Sequence, residues 1–388
     1  MPADGGEERP PVPRGWPDGF GRGSDLPDLV RLTTLRGIKP IDLHRLAWTE
    51  GSASGCVVAV HAGRAGTDGD RDYLSGADPD AIRRACDVLG ARIVTPNDVE
   101  YPERLFDLHD PPPALYVRGV AIHDQPAMVS VVGSRHCSAL GREIALDLGR
   151  NLAGVGCCVV SGAARGIDEA SHLGALAAPG RTLAVLGAGI DRPYPRASRG
   201  LLIRVLDARG TLVSEYPPGV EPHARHFPAR NRLIAALSIA VVVVEGVERS
   251  GSRITADHAL DLGRDVFAVP GAITNPLTAT PHALIRDGAT LMRGLDDLFD
   301  GLGIARLLAE RPPPDLSDVE RRVWEALETA TLPDVVGRRV AMATPEVVAV
   351  LMVLELRGLV RAVSGRYERT HRAAADPPDA PAERSGTR

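Results

Sequence analysis

Lysine is almost absent from this chain of 388 residues. Lys39 is the only one. A P-loop nucleotide-binding site needs a lysine followed by serine or threonine at the end of a glycine-rich loop. Lys39 precedes a proline and lies far upstream of the strand-and-helix region at 128–292. The sequence therefore excludes a nucleotidase of the P-loop kind.

Cysteines and long apolar runs are also scarce. The five cysteines form no Cys-x-x-Cys pair and show no histidine spacing typical of zinc. No window approaches the roughly 20 apolar residues of a membrane span, and the amino terminus lacks a basic-then-apolar signal. We therefore expect reduced thiols, no metal, no membrane partner and a cytoplasmic protein.

The formal net charge is −5, which gives no global attraction to nucleic acid. Any such binding must come from a local basic patch. One candidate lies between Glu221 and Glu245, where acidic residues are absent and three arginines surround Phe227. Arginines on phosphates and a ring under a base suit single-stranded nucleic acid. Phe227 could equally be a core anchor that closes a loop onto a helix at 230–237.

Short apolar runs, each ending near a turn, predict buried strands in the central part of the chain. These runs are Met128–Val132, Cys157–Val160, Thr182–Leu186, Thr211–Ser214, Ala240–Val244 and Val266–Val269. Helical patterns lie between them. Strands that alternate with helices predict an α/β fold with an open parallel sheet covered by helices.

Two of the intervening helices carry specific expectations. In the first, Leu140, Ile144, Leu148 and Leu152 recur every four residues, which predicts an apolar stripe packed on the sheet. In the second, Asp168 is expected to cap a helix that continues to residue 178.

In an open α/β sheet, the binding crevice lies outside the carboxyl ends of the strands. The turns expected there contain Gly133-Ser134-Arg135, Ser161-Gly162 and Gly187-Ala188-Gly189. Such turns favour an anion, although each could be only a tight turn. The first strand is not followed by Gly-x-Gly-x-x-Gly, so we expect no nicotinamide or flavin cofactor.

Seven motifs stand in the order seen in the DNA-processing protein A family (DprA, also called Smf). They are Val131–Arg135, Val160–Asp168, Ala184–Gly187, Ser214–Gly219, Phe227–Arg232, Glu248–Ser252 and Val269–Gly271. The resemblance implies an extended Rossmann-like domain that binds single-stranded DNA without sequence specificity and without cutting it. It also implies a homodimer through that domain, which brings the RecA recombinase onto incoming strands during natural transformation.

Transferred position by position, the resemblance assigns DNA contacts to two parts of the chain. In the turns after the first two strands, Arg135 would bind one phosphate, and Ser161 and Gly162 would donate to the next. In the basic segment, Phe227 would support a base. The complete set is Gly133, Ser134, Arg135, Ser161, Gly162, Arg225, Phe227, Arg230, Asn231 and Arg232. Asn231 and Arg232 could instead fasten the loop to its helix.

The predicted organisation has six parts. They are a disordered leader (1–24), an N-terminal helical domain similar to SAM and helix-hairpin-helix modules (25–110), the Rossmann-like domain (111–305), a proline-rich linker (306–315), a winged-helix-like domain (316–371) and a disordered tail (372–388). In the N-terminal domain, the turn at Gly37 is expected to be structural or dimer-facing. The last helix of the winged-helix-like domain, Thr344–Leu356, contains no basic residue, so we expect it to contact protein rather than DNA.

Two other functions remain open from the residues alone. Glu215, Glu245 and Asp168 lie near the expected crevice and could act as acid and base in a nucleotide hydrolase of the phosphoribohydrolase type. The chain lacks the Pro-Gly-Gly-x-Gly-Thr turn usual in that class. A scaffold that senses a nucleotide in the crevice is the third possibility.

Overall fold

The computed structural model describes residues 13–35, 37–122, 127–178, 180–302, 316–327, 331–357, 359–363 and 365–369. The chain divides into two compact units, 1–307 and 308–388. The predicted linker at 306–315, the predicted tail at 372–388 and the first twelve residues of the predicted leader lie outside the described residues.

The first unit begins with helices. They are α1 (Leu26–Leu32), α2 (Pro40–Glu50), α3 (Ala53–His61), α4 (Asp68–Gly76) and α5 (Pro79–Leu89). Trp16 and Phe20 are buried in the same apolar core as Leu29. The expected disordered leader is therefore wrong for residues 13–24, because two aromatic rings in that segment are removed from water.

The turn between α1 and α2 is tied to the helical core. The amide of Gly37 donates to the carboxylate of Asp70 over 2.7 Å, and Asp70 is fully buried. A side chain on Gly37 would meet that carboxylate at 2.3 Å. This amide is therefore already bound within the protein, which favours the structural role expected for the turn.

In the described part of the chain, the sheet has nine strands in the order β1-β2-β6-β5-β4-β3-β7-β8-β9. They are β1 (Ala91–Val94), β2 (Leu115–Gly119), β3 (Met128–Val132), β4 (Cys158–Ser161), β5 (Thr182–Leu186), β6 (Thr211–Ser214), β7 (Ala240–Val243), β8 (Asp265–Ala268) and β9 (Thr290–Leu291). Neighbouring strands from β3 to β9 pair in parallel, whereas β1 and β2 form an antiparallel edge beside β6.

Helices follow most of the parallel strands. They are α6 (Ala139–Gly154), α7 (Ile167–Leu176), α8 (Arg199–Asp207), α9 (His226–Leu237), α10 (Gly251–Asp261), α11 (Ala279–Arg286) and α12 (Leu295–Gly301). The predicted α/β class, the open Rossmann-like sheet and its six predicted strands are confirmed. The structure adds three strands, the antiparallel β1 and β2 and the short parallel β9, and β1 lies in the segment predicted to be a helical domain.

The apolar stripe expected on α6 is confirmed at Leu148 and Leu152, which are buried, and is wrong at Leu140, and the cap expected of Asp168 is also wrong. Leu140 is 65% exposed, because the buried face of α6 instead carries small residues such as Gly141 and Ala145 beside Leu148. Asp168 does not cap α7, which starts after Gly166. Its carboxylate instead accepts the amide of Gly162.

The second unit has the winged-helix fold expected for it. It contains α13 (Asp318–Glu325), α14 (Pro333–Val340), α15 (Thr344–Leu356) and a hairpin of β10 (Val360–Val363) and β11 (Arg366–Arg369). The predicted core of α15 is confirmed, since Val347, Leu351 and Leu354 are fully buried. Helix α14 was not predicted.

Close contact between α6 and α7 requires glycine at two positions. A β-carbon on Gly174 would lie 2.1 Å from the carbonyl oxygen of Leu146, and one on Gly149 would lie 2.1 Å from that of Ser171. We expect Gly174→Ala to lower the free energy of unfolding by about 1–3 kcal/mol, because backbone cannot move aside as a flexible side chain can.

Gly200→Ala is the matched control, since Gly200 lies in α8 with open space around its α-carbon. Alanine there should stabilise the helix by up to about 1 kcal/mol. Urea unfolding of the two variants measures both effects. Equal midpoints for Gly174→Ala and the wild type would contradict the close helix packing.

Candidate nucleic-acid interface

The order of the parallel strands fixes the position of the candidate site. The chain adds β4, β5 and β6 on one side of β3 and then returns to place β7 and β8 on the other side. In such sheets, ligands bind outside the carboxyl ends of the strands where the order reverses. Two adjoining depressions of about 300 and 390 Å³ lie there and share Arg135, Asn231 and Gly251.

The loop after β3 is held by a buried carboxylate. Glu245, just beyond β7, accepts the amide of Ser138 over 2.8 Å and its hydroxyl over 2.6 Å. Gly133 has no space for a side chain, because a β-carbon would lie 2.6 Å from the side chain of Ile167. These contacts fix both ends of the loop and leave Arg135 exposed between them.

Arg135 and Phe227, which were predicted from different parts of the sequence, lie together. The guanidinium carbon of Arg135 is 5.5 Å from the centre of the Phe227 ring. The ring of Tyr194 is 5.0 Å from that of Phe227 and is tilted by 32°. Gly187 makes room for the phenyl ring, because a β-carbon there would lie 2.8 Å from it. The three side chains form an aromatic and cationic wall of the smaller depression.

Phe227 lies in the first turn of α9 and not in a loop before the helix, as the sequence had suggested. On a helix, residues four apart share a face, so Phe227 and Asn231 both line the depression. Asn231 also donates from its amide nitrogen to the carbonyl of Gly251 over 3.1 Å. Arg225 is exposed immediately before α9 and makes no ion pair among the described residues.

Arg230 is buried, with 4% of its surface exposed, and its guanidinium is hydrogen-bonded to the protein backbone. Its guanidinium donates to the carbonyl of Gly162 over 2.9 Å and also to that of Val185. Burial lowers the pKa of Arg230 to about 10, with Asp168 opposing the shift and Arg135 adding to it. The arginine stays charged at neutral pH and joins the ends of β4 and β5. Arg230 also lines the larger depression, so the DNA contact that the resemblance assigns to it stays a prediction, although its guanidinium already binds these carbonyls.

The donors predicted after β4 are also satisfied internally. The hydroxyl of Ser161 is buried and donates to the carbonyl of Val131 over 2.7 Å. The amide of Gly162 donates to Asp168 over 3.2 Å. The expectation that these two groups face a phosphate is contradicted, because both lie beneath the surface of the loop.

Arg232 points away from the depressions. It binds Asp110 over 3.0 Å and Glu215 over 2.6 Å, and only 6% of its side chain is exposed. Burial lowers the pKa of Arg232, but the two carboxylates outweigh this effect and hold it above its ordinary value. Arg232 therefore ties α9 to the segments that contain Asp110 and Glu215, and it does not fasten the loop to its own helix, as the sequence had left open.

The three carboxylates considered as acid and base have internal partners. Glu215 binds Arg232, Glu245 binds Ser138, and Asp168 accepts the Gly162 amide. Burial raises the pKa of Asp168, and the nearby charge of Arg230 opposes the rise. Within the described ranges no group of three potential metal ligands occurs, and no helix is long and apolar enough to cross a membrane.

Sequence reasoning missed Tyr194, and it included the turn before α10 in the motif Glu248–Ser252 without assigning it a contact. Tyr194 is 48% exposed and belongs to the loop after β5, a few residues beyond the glycines that we selected. Ser250 and Ser252 line the larger depression. Ligands bind at the carboxyl ends of parallel strands, and the loop after β5 contains Tyr194 as well as the glycines. The same rule applied to the whole of that loop would therefore have included Tyr194.

We expect the ion pairs of Arg232 to stabilise the folded protein. Arg232→Met should lower the free energy of unfolding by about 3–5 kcal/mol, because Glu215 and Asp110 lose the charge that compensates them. Arg225→Ala is the control and should change it by less than about 0.5 kcal/mol, since that side chain is exposed. Chemical unfolding measures both. A stable Arg232→Met protein would show that the ion pairs are dispensable.

The chain matches known proteins along most of its length. The family described as DNA recombination-mediator protein A matches residues 92–303, and the DprA winged helix domain matches residues 308–366. A putative DNA processing protein DprA of Mycobacterium tuberculosis is 40% identical over 315 residues, covering 74% of this chain and 80% of that protein. Protein Smf of Escherichia coli is 41% identical over 289 residues, covering 72% and 77%.

Solved structures agree with these matches. DNA processing protein A from Streptococcus pneumoniae aligns with a TM-score of 0.53 at 30% identity, covering 68% of this chain and 98% of that one. DNA processing protein A from Helicobacter pylori, described with a single-stranded DNA binding mode, aligns with a TM-score of 0.50 at 27% identity, covering 55% and 96%. The chain therefore belongs to the DNA recombination-mediator protein A family, whose members are also named DprA and Smf.

Proposed function

We propose that this protein binds single-stranded DNA without sequence specificity at the two adjoining depressions beside α9. The observation that carries the proposal is the contact between Arg135 and Phe227 at the reversal point of the sheet. The relative from Helicobacter pylori, whose description names single-stranded DNA, supports it.

The exposed groups suit a flexible, unpaired strand. A phosphate pairs with the guanidinium of Arg135, which makes no ion pair among the described residues. A neighbouring base stacks on the ring of Phe227 or Tyr194, which is impossible for a base inside a duplex. Every base presents a flat face to a ring, so this arrangement binds strands of any sequence.

The positive charge exposed near the depressions is smaller than the sequence indicates. Arg135 and Arg225 are exposed near the depressions, whereas Arg230 and Arg232 are buried and have internal partners. The basic segment therefore offers fewer surface charges than its sequence indicates. We expect a modest salt dependence, with stacking on the rings supplying much of the affinity.

Membership of a recombination-mediator family supports three finer proposals. The protein loads RecA onto the bound strand, forms a homodimer through the Rossmann-like domain, and acts in the cytoplasm without being an enzyme. Light scattering of the full chain tests the dimer. A shorter lag before RecA hydrolyses ATP on single-stranded DNA tests loading.

The main prediction concerns two substitutions that should both weaken DNA binding but differ in their effect on its salt dependence. Phe227→Ala should cost about 1–3 kcal/mol of binding free energy per stacked base and leave the salt dependence unchanged. Arg135→Ala should weaken binding and reduce the slope of log affinity against log salt by about 0.7, the value for one phosphate contact on a single strand. Titration of labelled oligonucleotides at two or more salt concentrations measures both quantities.

Arg83→Ala is the matched control, because Arg83 is exposed on α5 and remote in sequence from every residue of the depressions. It should bind as the wild type does. Tyr194→Ala should behave like Phe227→Ala with a smaller loss. Equal affinity for single and double strands, or no effect of either main substitution, would refute the proposed site.

A nucleotide in the larger depression is the alternative, because Ser250 and Ser252 lie at the start of α10 there. Nucleoside monophosphates would then raise the melting temperature at low concentration, and a hydrolase would release free base. The internal partners of Asp168, Glu215 and Glu245 disfavour hydrolysis.

A further inference from the structure

Helix α15 of the winged-helix unit is apolar on two sides. Its inner side, with Val347, Leu351 and Leu354, fills the core of the unit. Its outer side carries Ala349, Met352, Val353 and Leu356 at the spacing i, i+3, i+4 and i+7, which forms one continuous stripe. We call these four residues the outer stripe.

The outer stripe is in contact with solvent. Met352 is 57% exposed, Val353 is 45% exposed and Leu356 is 89% exposed. Single exposed apolar residues are ordinary on a protein surface, but a contiguous row along a helix marks an interaction site. A helix that is apolar all round is normally buried on all sides.

Helix α15 occupies the place of a recognition helix, just before the hairpin, yet it is unsuited to DNA. It contains neither lysine nor arginine, and its charged residues are Glu346 and Glu355. Binding to the DNA backbone requires cations, and reading of bases requires polar groups on the exposed face. The chemistry of the stripe therefore fits another apolar helix.

The charges at its two ends indicate which helix. Glu346 lies in the first turn, and Arg357 follows the last turn eleven positions later. Both lie on the same flank of the stripe, since eleven residues are close to three helical turns. When two copies of α15 lie antiparallel, Glu346 of each copy meets Arg357 of the other. Arg357 already pairs with Glu320 over 3.0 Å and is partly exposed, so it can bind both carboxylates.

We propose that the outer stripe of α15 is a contact with a second copy of this chain, in which two α15 helices pack antiparallel about a two-fold axis beside Met352. The axis falls midway between residues 346 and 357. A helix of 13 residues is about 20 Å long, so the contact is small beside a standard interface and forms only at high local concentration.

Position-specific disulfide formation in the full chain tests the geometry. With Met352→Cys, the two thiols face each other across the axis, and mild oxidation should give a covalent dimer that reducing agent dissolves. Leu356→Cys is the matched control on the same stripe. Its two copies would lie about 13 Å apart along the helix axis, beyond the roughly 7 Å that a disulfide spans between α-carbons. The wild type, whose cysteines are buried except for the half-buried Cys137, gives the background.

The expected result is a yield several-fold higher for Met352→Cys than for Leu356→Cys, rising with protein concentration. Adding Glu346→Gln, which keeps a hydrogen-bond acceptor but removes the charge, should lower the yield. No covalent dimer, equal yields at both positions, or a dimer only with Leu356→Cys would overturn the proposal. Both cysteines replace exposed side chains, and equal melting temperatures of the reduced variants confirm folding. The outcome is independent of single-stranded DNA binding, which is measured without oxidation.

Discussion

Buried charged side chains hold together the loops at the carboxyl edge of the sheet. Arg230 joins the ends of β4 and β5 through two backbone carbonyls. Glu245 fixes the loop after β3 by binding Ser138, and Asp168 binds the amide of Gly162. A buried charge without a partner is costly, so each of these residues imposes one loop conformation. The exposed side chains of the interface are positioned by this internal network.

The sequence predicted the parallel strands because each is a short apolar run rich in valine that ends at a turn. Strands β1 and β2 escaped prediction because each contains an arginine that interrupts the apolar pattern, and β9 escaped because it has only two residues. Moreover, β2 pairs with β6 nearly one hundred residues later, as Tyr116 does with Ser214. A local pattern does not encode such a distant partner.

Within the candidate site, three residues selected from the sequence, Arg135, Phe227 and Asn231, line the smaller depression, and their contacts with DNA stay a prediction. The sequence placed Phe227 in a loop before a helix at 230–237, and the resemblance assigned DNA contacts to four side chains of the segment Phe227–Arg232. As a helix, the same segment sends Phe227 and Asn231 to one face, Arg230 into the protein and Arg232 towards Asp110. Pro228 lies in the first turn of α9, where proline is well tolerated.

The contact between Arg135 and the Phe227 ring also affects which molecules can enter. The guanidinium of Arg135 lies near the face of the Phe227 ring, and such a contact is worth about 0.5–1 kcal/mol at an exposed position. A free phosphate would draw Arg135 away and leave the ring uncovered, and an isolated base would displace the guanidinium without neutralising it. Only a molecule that carries phosphate and base together compensates both losses. At the proposed site, we therefore expect inorganic anions and free nucleobases to bind more weakly than a nucleotide strand, which carries both groups.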